Sequence, residues 1–314
     1  MGIISIGNVV TYAASILKFT DAVGRMAILL NRLKGYAVFA GDYVEYMNLP
    51  QRKHEGAIPV DKRRDGKFSV EFDQVSFRYP GSETYVLKDL NLKFEIGEKM
   101  VIVGKNGSGK TTFIKLLCRL YDVTEGCIKV NGIDIRKYDY AEYCGLFAVV
   151  FQDFQVFSFP LGENVASGSD VDAKRAEEAL ERAGLGDRYR RLPEGLRTSI
   201  GKEFEENGVT FSGGEKQKTA IARAIYKDAP FVIMDEPTAA LDPESECEVY
   251  AGFDKMVGNK TSIYISHRLA SCRFCQDILV FDQGKVIQRG SHEELEHQTG
   301  LYRELWEAQA QYYA

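Results

Sequence analysis

The residues Met100-Val-Ile-Val run without a polar side chain into Gly104-Lys105-Asn106-Gly107-Ser108-Gly109-Lys110-Thr111-Thr112. A short continuous apolar run of this kind is a strand buried on both faces. The segment Lys110–Leu120 that follows reads as a helix. Between them, Gly104 to Thr111 fits G-x-x-x-x-G-K-[ST], with the strand before and the helix after that give the pattern its meaning. Glycines let the backbone curl so that successive N–H groups point inward at phosphate oxygens. The helix start adds its positive end at the same place. Lys110 supplies a point charge for β- and γ-phosphates, and Thr111 a hydroxyl for Mg²⁺.

A second apolar run, Phe231-Val-Ile-Met, ends in Asp235-Glu236. In an open parallel sheet ligands bind beyond the carboxyl ends of the strands. Asp235 is thereby placed to enter the Mg²⁺ shell, and Glu236 to polarise a water that attacks the γ-phosphorus. Alone, two acids ending a strand are common; beside a phosphate loop they form a site. Upstream lies Phe211-Ser212-Gly213-Gly214-Glu215-Lys-Gln217. Ser212 and Glu215 have the spacing of a capping box that opens a helix over Gly213–Tyr226. The two glycines leave the N–H groups of that helix start open to an anion.

Further continuous runs at Phe147–Phe151, Ile263–Ile265 and Ile278–Phe281 complete a set of doubly buried strands. Phe68–Phe72, Val75–Tyr79 and Asn91–Glu95 instead alternate apolar and polar residues, as half-exposed antiparallel strands do. Helical stretches, among them Asp172–Ala183, fall between, so the chain is read as α/β. With 314 residues, 45% apolar and 27% charged, a disordered or disulfide-scaffold protein is excluded. The net charge of −5 offers no overall basic field for nucleic acid. Cys272 and Cys275 form a C-x-x-C that lacks a second pair, and packing is the plainer reading.

The N-terminus is unusual. Met1 to Leu17 carries no charge, and a span needs about 17–25 residues. Polar residues dilute the run: Ser5, Asn8, Thr11, Tyr12 and Ser15. One long helix is expected, apolar at first and amphipathic from Asp21 to Met47, broken near Asn48–Pro50. The charged, aperiodic stretch 51–67 reads as a linker.

Taken together, these elements resemble the nucleotide-binding domain of the ATP-binding cassette (ABC) transporters, over about residues 68–314. The markers follow the family's order: Tyr79, Gly104–Thr111, Gln152, Phe211–Gln217, Asp235–Glu236, then Ala239-Ala-Leu-Asp242 and His267. The resemblance implies a P-loop NTPase fold with a parallel core sheet, an antiparallel β subdomain and a helical subdomain. It implies ATP and Mg²⁺ as cofactors, with Gly104 to Thr112 holding the phosphates. It further implies that Tyr79 stacks on adenine, that Gln152 touches Mg²⁺ or the attacking water, and that His267 contacts the γ-phosphate. Two domains pair head to tail, so that Ser212, Gly213, Gly214 and Glu215 of one face the ATP of the other, with Asp242 near the partner's phosphate loop.

The tail, Gly290-Ser-His-Glu-Glu-Leu295 through Trp306-Glu, resembles exporter-type chains that fuse membrane helices ahead of the ATPase. Residues 1–50 then resemble the end of such a membrane domain: its last helix and a cytosolic extension, with Arg25, Arg32 and Lys34 on the cytoplasmic side. Membrane helices, lipid and a second nucleotide-binding domain are the implied partners. The implied location is a membrane, with the ATPase in the cytoplasm. The competing reading is a soluble ABC ATPase acting on ribosomes or nucleic acid, with 1–47 a soluble helix. Four departures from the family pattern stand out: Phe211 for Leu, Glu215 for Gln, the longer Gly201–Gly208 for a shorter loop, and Ser158–Gly162 after Gln152.

Overall fold

The computed structural model describes residues 6–49, 56–60, 68–95, 99–235, 260–266, 269, 272 and 275–310. The chain divides into two compact units between Arg52 and Lys53.

The first unit is built on one unbroken helix, α1 (Ile6–Met47), with no buried residue. Its apolar side chains include the adjacent pairs Val9/Val10 and Ile16/Leu17 and the run Ile28-Leu29-Leu30, all exposed. Neighbours in a helix point about 100° apart, so these residues wrap the helix rather than forming the single stripe expected after Asp21. No helix among the described residues is long and apolar enough to cross a membrane. Lys18, Asp21 and Arg25 interrupt the apolar run, and Asp21 and Arg25 pair with each other one turn apart. The hydroxyls of Thr11, Ser15 and Thr20 donate back to the carbonyls of Gly7, Thr11 and Ile16 at 2.9, 2.8 and 2.9 Å. Asn48 closes the helix with a bond to the Val44 carbonyl, just ahead of Pro50.

The second unit holds two sheets. The first runs β2 (Leu87–Glu95), β1 (Ser69–Phe77), β4 (Glu125–Val130), β5 (Ile133–Asp134), all antiparallel. Phe68–Phe72 and Val75–Tyr79, expected as separate strands, fuse into β1. The register shifts between Phe72 and Val75, where Gln74 takes φ 49°. The second sheet has the order β10-β9-β3-β8-β7-β6. Its members are β3 (Lys99–Gly104), β6 (Phe147–Val150), β7 (Phe231–Asp235), β8 (Thr261–Ile265), β9 (Asp277–Asp282) and β10 (Lys285–Gly290). All its pairings are parallel except β9 with β10. Each of the five continuous apolar runs read as doubly buried strands is a strand here, and β7 and β8 are buried at every position.

Helices α2 (Lys110–Leu117) and α7 (Gly213–Lys227) carry the site. A separate apolar cluster joins α4 (Leu161–Ala166), α5 (Ala173–Arg182) and Phe211 of the loop before α7. It forms the core of a helical lobe. Asp172 caps α5 by accepting from the Arg175 N–H. Further short helices are α3 (Tyr140–Gly145), α6 (Gly186–Arg190) and two C-terminal ones, His292–His297 and Leu301–Ala310, which bury Leu295, Leu301 and Tyr302 in the core.

Residues 56–60, read from sequence as linker, lie against this second unit. Ile58 exchanges backbone bonds with Lys137 and Asp139 at 3.0 and 2.8 Å. Val60 is buried, and its N–H donates to Glu142 Oε2 at 2.8 Å. These contacts are irregular, so no periodicity announces them.

Candidate functional site

The phosphate loop leaves β3 at Gly104, where φ is 147° and an added Cβ would lie 2.1 Å from the Phe281 carbonyl oxygen. No other residue fits there. At Gly107, φ is 76° and an added Cβ would meet nothing within 4 Å, so that face of the loop is open. Gly109 caps α2 in the left-handed region at φ 105°. The ammonium of Lys110 is buried and donates to the carbonyls of Gly104 and Lys105 at 2.9 and 3.0 Å. A cleft of about 680 Å³ is lined by Val86, Asn106 to Thr112 and Gln152. Gln152, far away in sequence, therefore reaches the same cavity as the loop.

Asp235 ends β7 and is buried. It pairs in register with Ile265, which also pairs with Ile102 of β3. Asp235 thus stands at the carboxyl edge of the sheet, two strand spacings of about 4.8 Å from the strand that feeds the phosphate loop.

The third element is a capping box in full. The Glu215 N–H donates to Ser212 Oγ at 3.2 Å, and the Ser212 N–H donates to Glu215 Oε2 at 2.8 Å. The carboxylate folds back onto the helix start as its spacing predicts. An added Cβ at Gly213 would meet nothing within 4 Å, so the first turn of α7 is accessible.

Comparison with known proteins agrees with this geometry. The sequence profile described as ABC transporter matches residues 87–239. A protein named ATP-dependent lipid A-core flippase from Burkholderia orbicola is 40% identical over 262 residues, covering 83% of this chain and 43% of its own. One of the same name from Alkalilimnicola ehrlichii is 37% identical over 309 residues, 98% of this chain and 51% of its own. A solved bacterial Atm1-family ABC exporter with ATP bound superposes with a TM-score of 0.76 at 30% identity, covering 98% of this chain and 53% of that one. This chain carries an ABC transporter domain over residues 87–239. It spans about half the length of the curated relatives it matches.

Other parts of the ABC domain are visible around the cleft. Tyr79 lies beside the loop rather than lining the cleft. Its hydroxyl is 3.0 Å from Thr112 Oγ1, and its ring packs edge-on against Phe77 and Tyr121. Arg223 of α7 donates to the carbonyls of Asn164 and Gln155 at 2.8 and 3.2 Å. It thereby ties the segment after Gln152 to α7, and burial pushes its guanidinium below the usual value. Behind the loop, Cys118 is buried at the C-cap of α2 as a packing residue, and that burial pushes its thiol far up. Glu236, Asp242 and His267, expected as water-polarising, partner-facing and γ-phosphate residues, lie outside the described residues.

Sequence reasoning missed the brace under the phosphate loop. The turn between β9 and β10 takes Gln283 and Gly284 at φ 46° and 80°. The Gly284 N–H donates to the Ser108 carbonyl at 3.1 Å, and its own carbonyl accepts from the Lys88 N–H at 3.1 Å. The signal was present: Asp282-Gln-Gly-Lys285 between two apolar stretches is a tight hairpin turn. Its contact with a loop far back in the chain is tertiary and left no mark in the sequence.

Proposed function

We propose that this chain binds MgATP in the Gly104–Thr112 loop and hydrolyses it, as the ATPase of a membrane exporter working in a head-to-tail pair. The observation that carries the reading is the convergence of Lys110, Thr111 and Gln152 on one cleft, with Asp235 at the same sheet edge. The loop fits a phosphate chain: its glycines leave an open backbone face, and a buried ammonium stands over it. The donor set also fits Mg²⁺, which is commonly held by one or two carboxylates together with substrate phosphates. Among the described residues there is no cluster of three or more His, Cys, Asp or Glu that would hold a metal unaided. Thr111 and Asp235, with Gln152 beside them, would hold the ion, which supplies charge neutralisation for phosphoryl transfer.

The chain's own residues then divide the work. Backbone N–H groups and Lys110 fix the phosphates, and Glu236, next after Asp235, orients the water. Ser212, Gly213 and Gly214 of a second domain meet the γ-phosphate from the opposite side, so ATP bridges two domains and its hydrolysis releases them. Tyr79 stacks on adenine, and His267 reads the γ-phosphate.

The exporter reading is favoured over a soluble ATPase by α1. It exposes apolar side chains around its whole circumference, and the hydroxyls of Thr11, Ser15 and Thr20 are satisfied by its own backbone. Both properties suit apolar surroundings among sister membrane helices. The relatives named as lipid A-core flippases are matched largely through the nucleotide-handling part, so the proposal names an ATP-driven exporter and no cargo.

Glu236→Gln tests the assignment. The variant keeps ATP binding, loses turnover and accumulates as an ATP-dependent dimer by gel filtration. Wild-type turnover in that variant overturns it.

A further inference from the structure

The two residues by which the signature Phe211-Ser-Gly-Gly-Glu215 departs from the family pattern touch the same side chain. Arg188, on α6, places its Nε 2.8 Å from Glu215 Oε1. Its guanidinium lies over the Phe211 ring, 5.7 Å from the centroid. Glu215 Oε2 is already engaged by the Ser212 N–H, so one carboxylate oxygen is hydrogen-bonded to the helix start while the other faces the guanidinium as an ion pair without a hydrogen bond. The segment bearing Arg188 is fastened to α7 again one turn on, where Lys218 Nζ donates to the Gly184 carbonyl at 3.4 Å.

We propose that Arg188 is a positioning residue for the ATP site: it holds the Glu215 carboxylate folded back and offsets its charge, so that the phosphate of a nucleotide bound to a second domain can approach the start of α7. This rests on the head-to-tail reading above. A carboxylate in the first turn of α7 opposes an approaching phosphate, and like charges a few ångströms apart repel strongly where water is partly excluded. The guanidinium supplies the opposite charge in a fixed orientation. The aromatic face of Phe211 gives the guanidinium a second contact, between cation and ring, that an aliphatic side chain does not offer. The departures Phe211 and Glu215 are therefore one device with Arg188 at its centre.

The test is a double-mutant cycle on the full chain in detergent, reading ATPase rate against ATP concentration. In the natural background, Arg188→Ala raises KM for ATP about tenfold, with a smaller change in kcat. In the Glu215→Gln background, where there is no carboxylate to offset, Arg188→Ala changes KM less than twofold. Equal losses in both backgrounds overturn the proposal, as does a loss that follows Tm across the four proteins. Should Arg188→Ala not fold, Arg188→Lys carries the same comparison at smaller amplitude, because it keeps the charge and loses the planar contact. Absence of ATPase in the unsubstituted chain overturns the parent reading, and this one with it. An active chain that is indifferent to Arg188 overturns this one alone.

Discussion

Lys110 Nζ lies 2.9 Å from the carbonyl oxygen of Gly104, so the phosphate loop is closed on itself by the side chain that ends it. The same ammonium bonds Lys105 O at 3.0 Å. One charge thus shapes the loop and faces the cleft, and nucleotide binding reuses a group already in place.

Replacing that group gives the first prediction. Lys110→Ala removes a charge-assisted contact worth about 1.5–3 kcal/mol, which weakens ATP binding roughly 10–150-fold and abolishes hydrolysis. Fluorescence titration with nucleotide reads the affinity. An unchanged Kd contradicts the phosphate-loop assignment.

Gly104→Ala gives the second. The backbone there is at φ 147°, and the new methyl would lie 2.1 Å from a backbone oxygen of β9. Strain of this kind costs about 1–3 kcal/mol where it is held in place. Thermal unfolding should show a lower Tm, and ATP affinity should fall as the loop shifts. Gly107→Ala, at φ 76° near the left-handed helical region and without the clash, should disturb Tm less.

The third concerns the segment between the units. A chain beginning at Lys53 keeps the bonds of Ile58 and the burial of Val60; one beginning at Asp65 loses them. Loss of one buried valine and its associated hydrogen bonds amounts to about 2–4 kcal/mol. The shorter chain should therefore unfold at lower temperature by calorimetry. Both, free of the exposed apolar surface of α1, should sediment as single species without detergent, whereas the full chain should need it. Equal Tm values would mean that residues 56–60 do not contribute to the fold.

What could be read from the residues was what depends on local chemistry. The phosphate loop, the capping box of Ser212 and Glu215, and the doubly buried strands each carry their cause within a few residues, and each lies where expected. The register that sets Asp235 level with Ile102 is different, because the strand between them comes later in the chain. The brace from Gly284 to Ser108 and the hold of Arg188 on Glu215 are likewise meetings of distant segments. Weakly patterned pieces such as β5, α3 and α6 are held by packing, and their own composition does not announce them. The linker shows the same limit: Ile58 and Val60 look like isolated apolar residues until Asp139 and Glu142 are set beside them.

The position of β3 bears on how such a protein comes off the ribosome. Its two neighbours in the sheet, β8 and β9, are drawn from residues 261–282. Synthesis delivers the phosphate loop and Asp235 well before either neighbour exists. Through that interval β3 has two open edges, which invite pairing with the wrong chain. The nascent chain therefore needs shelter until residues 261–282 have emerged, and competence to hold nucleotide arrives only with them.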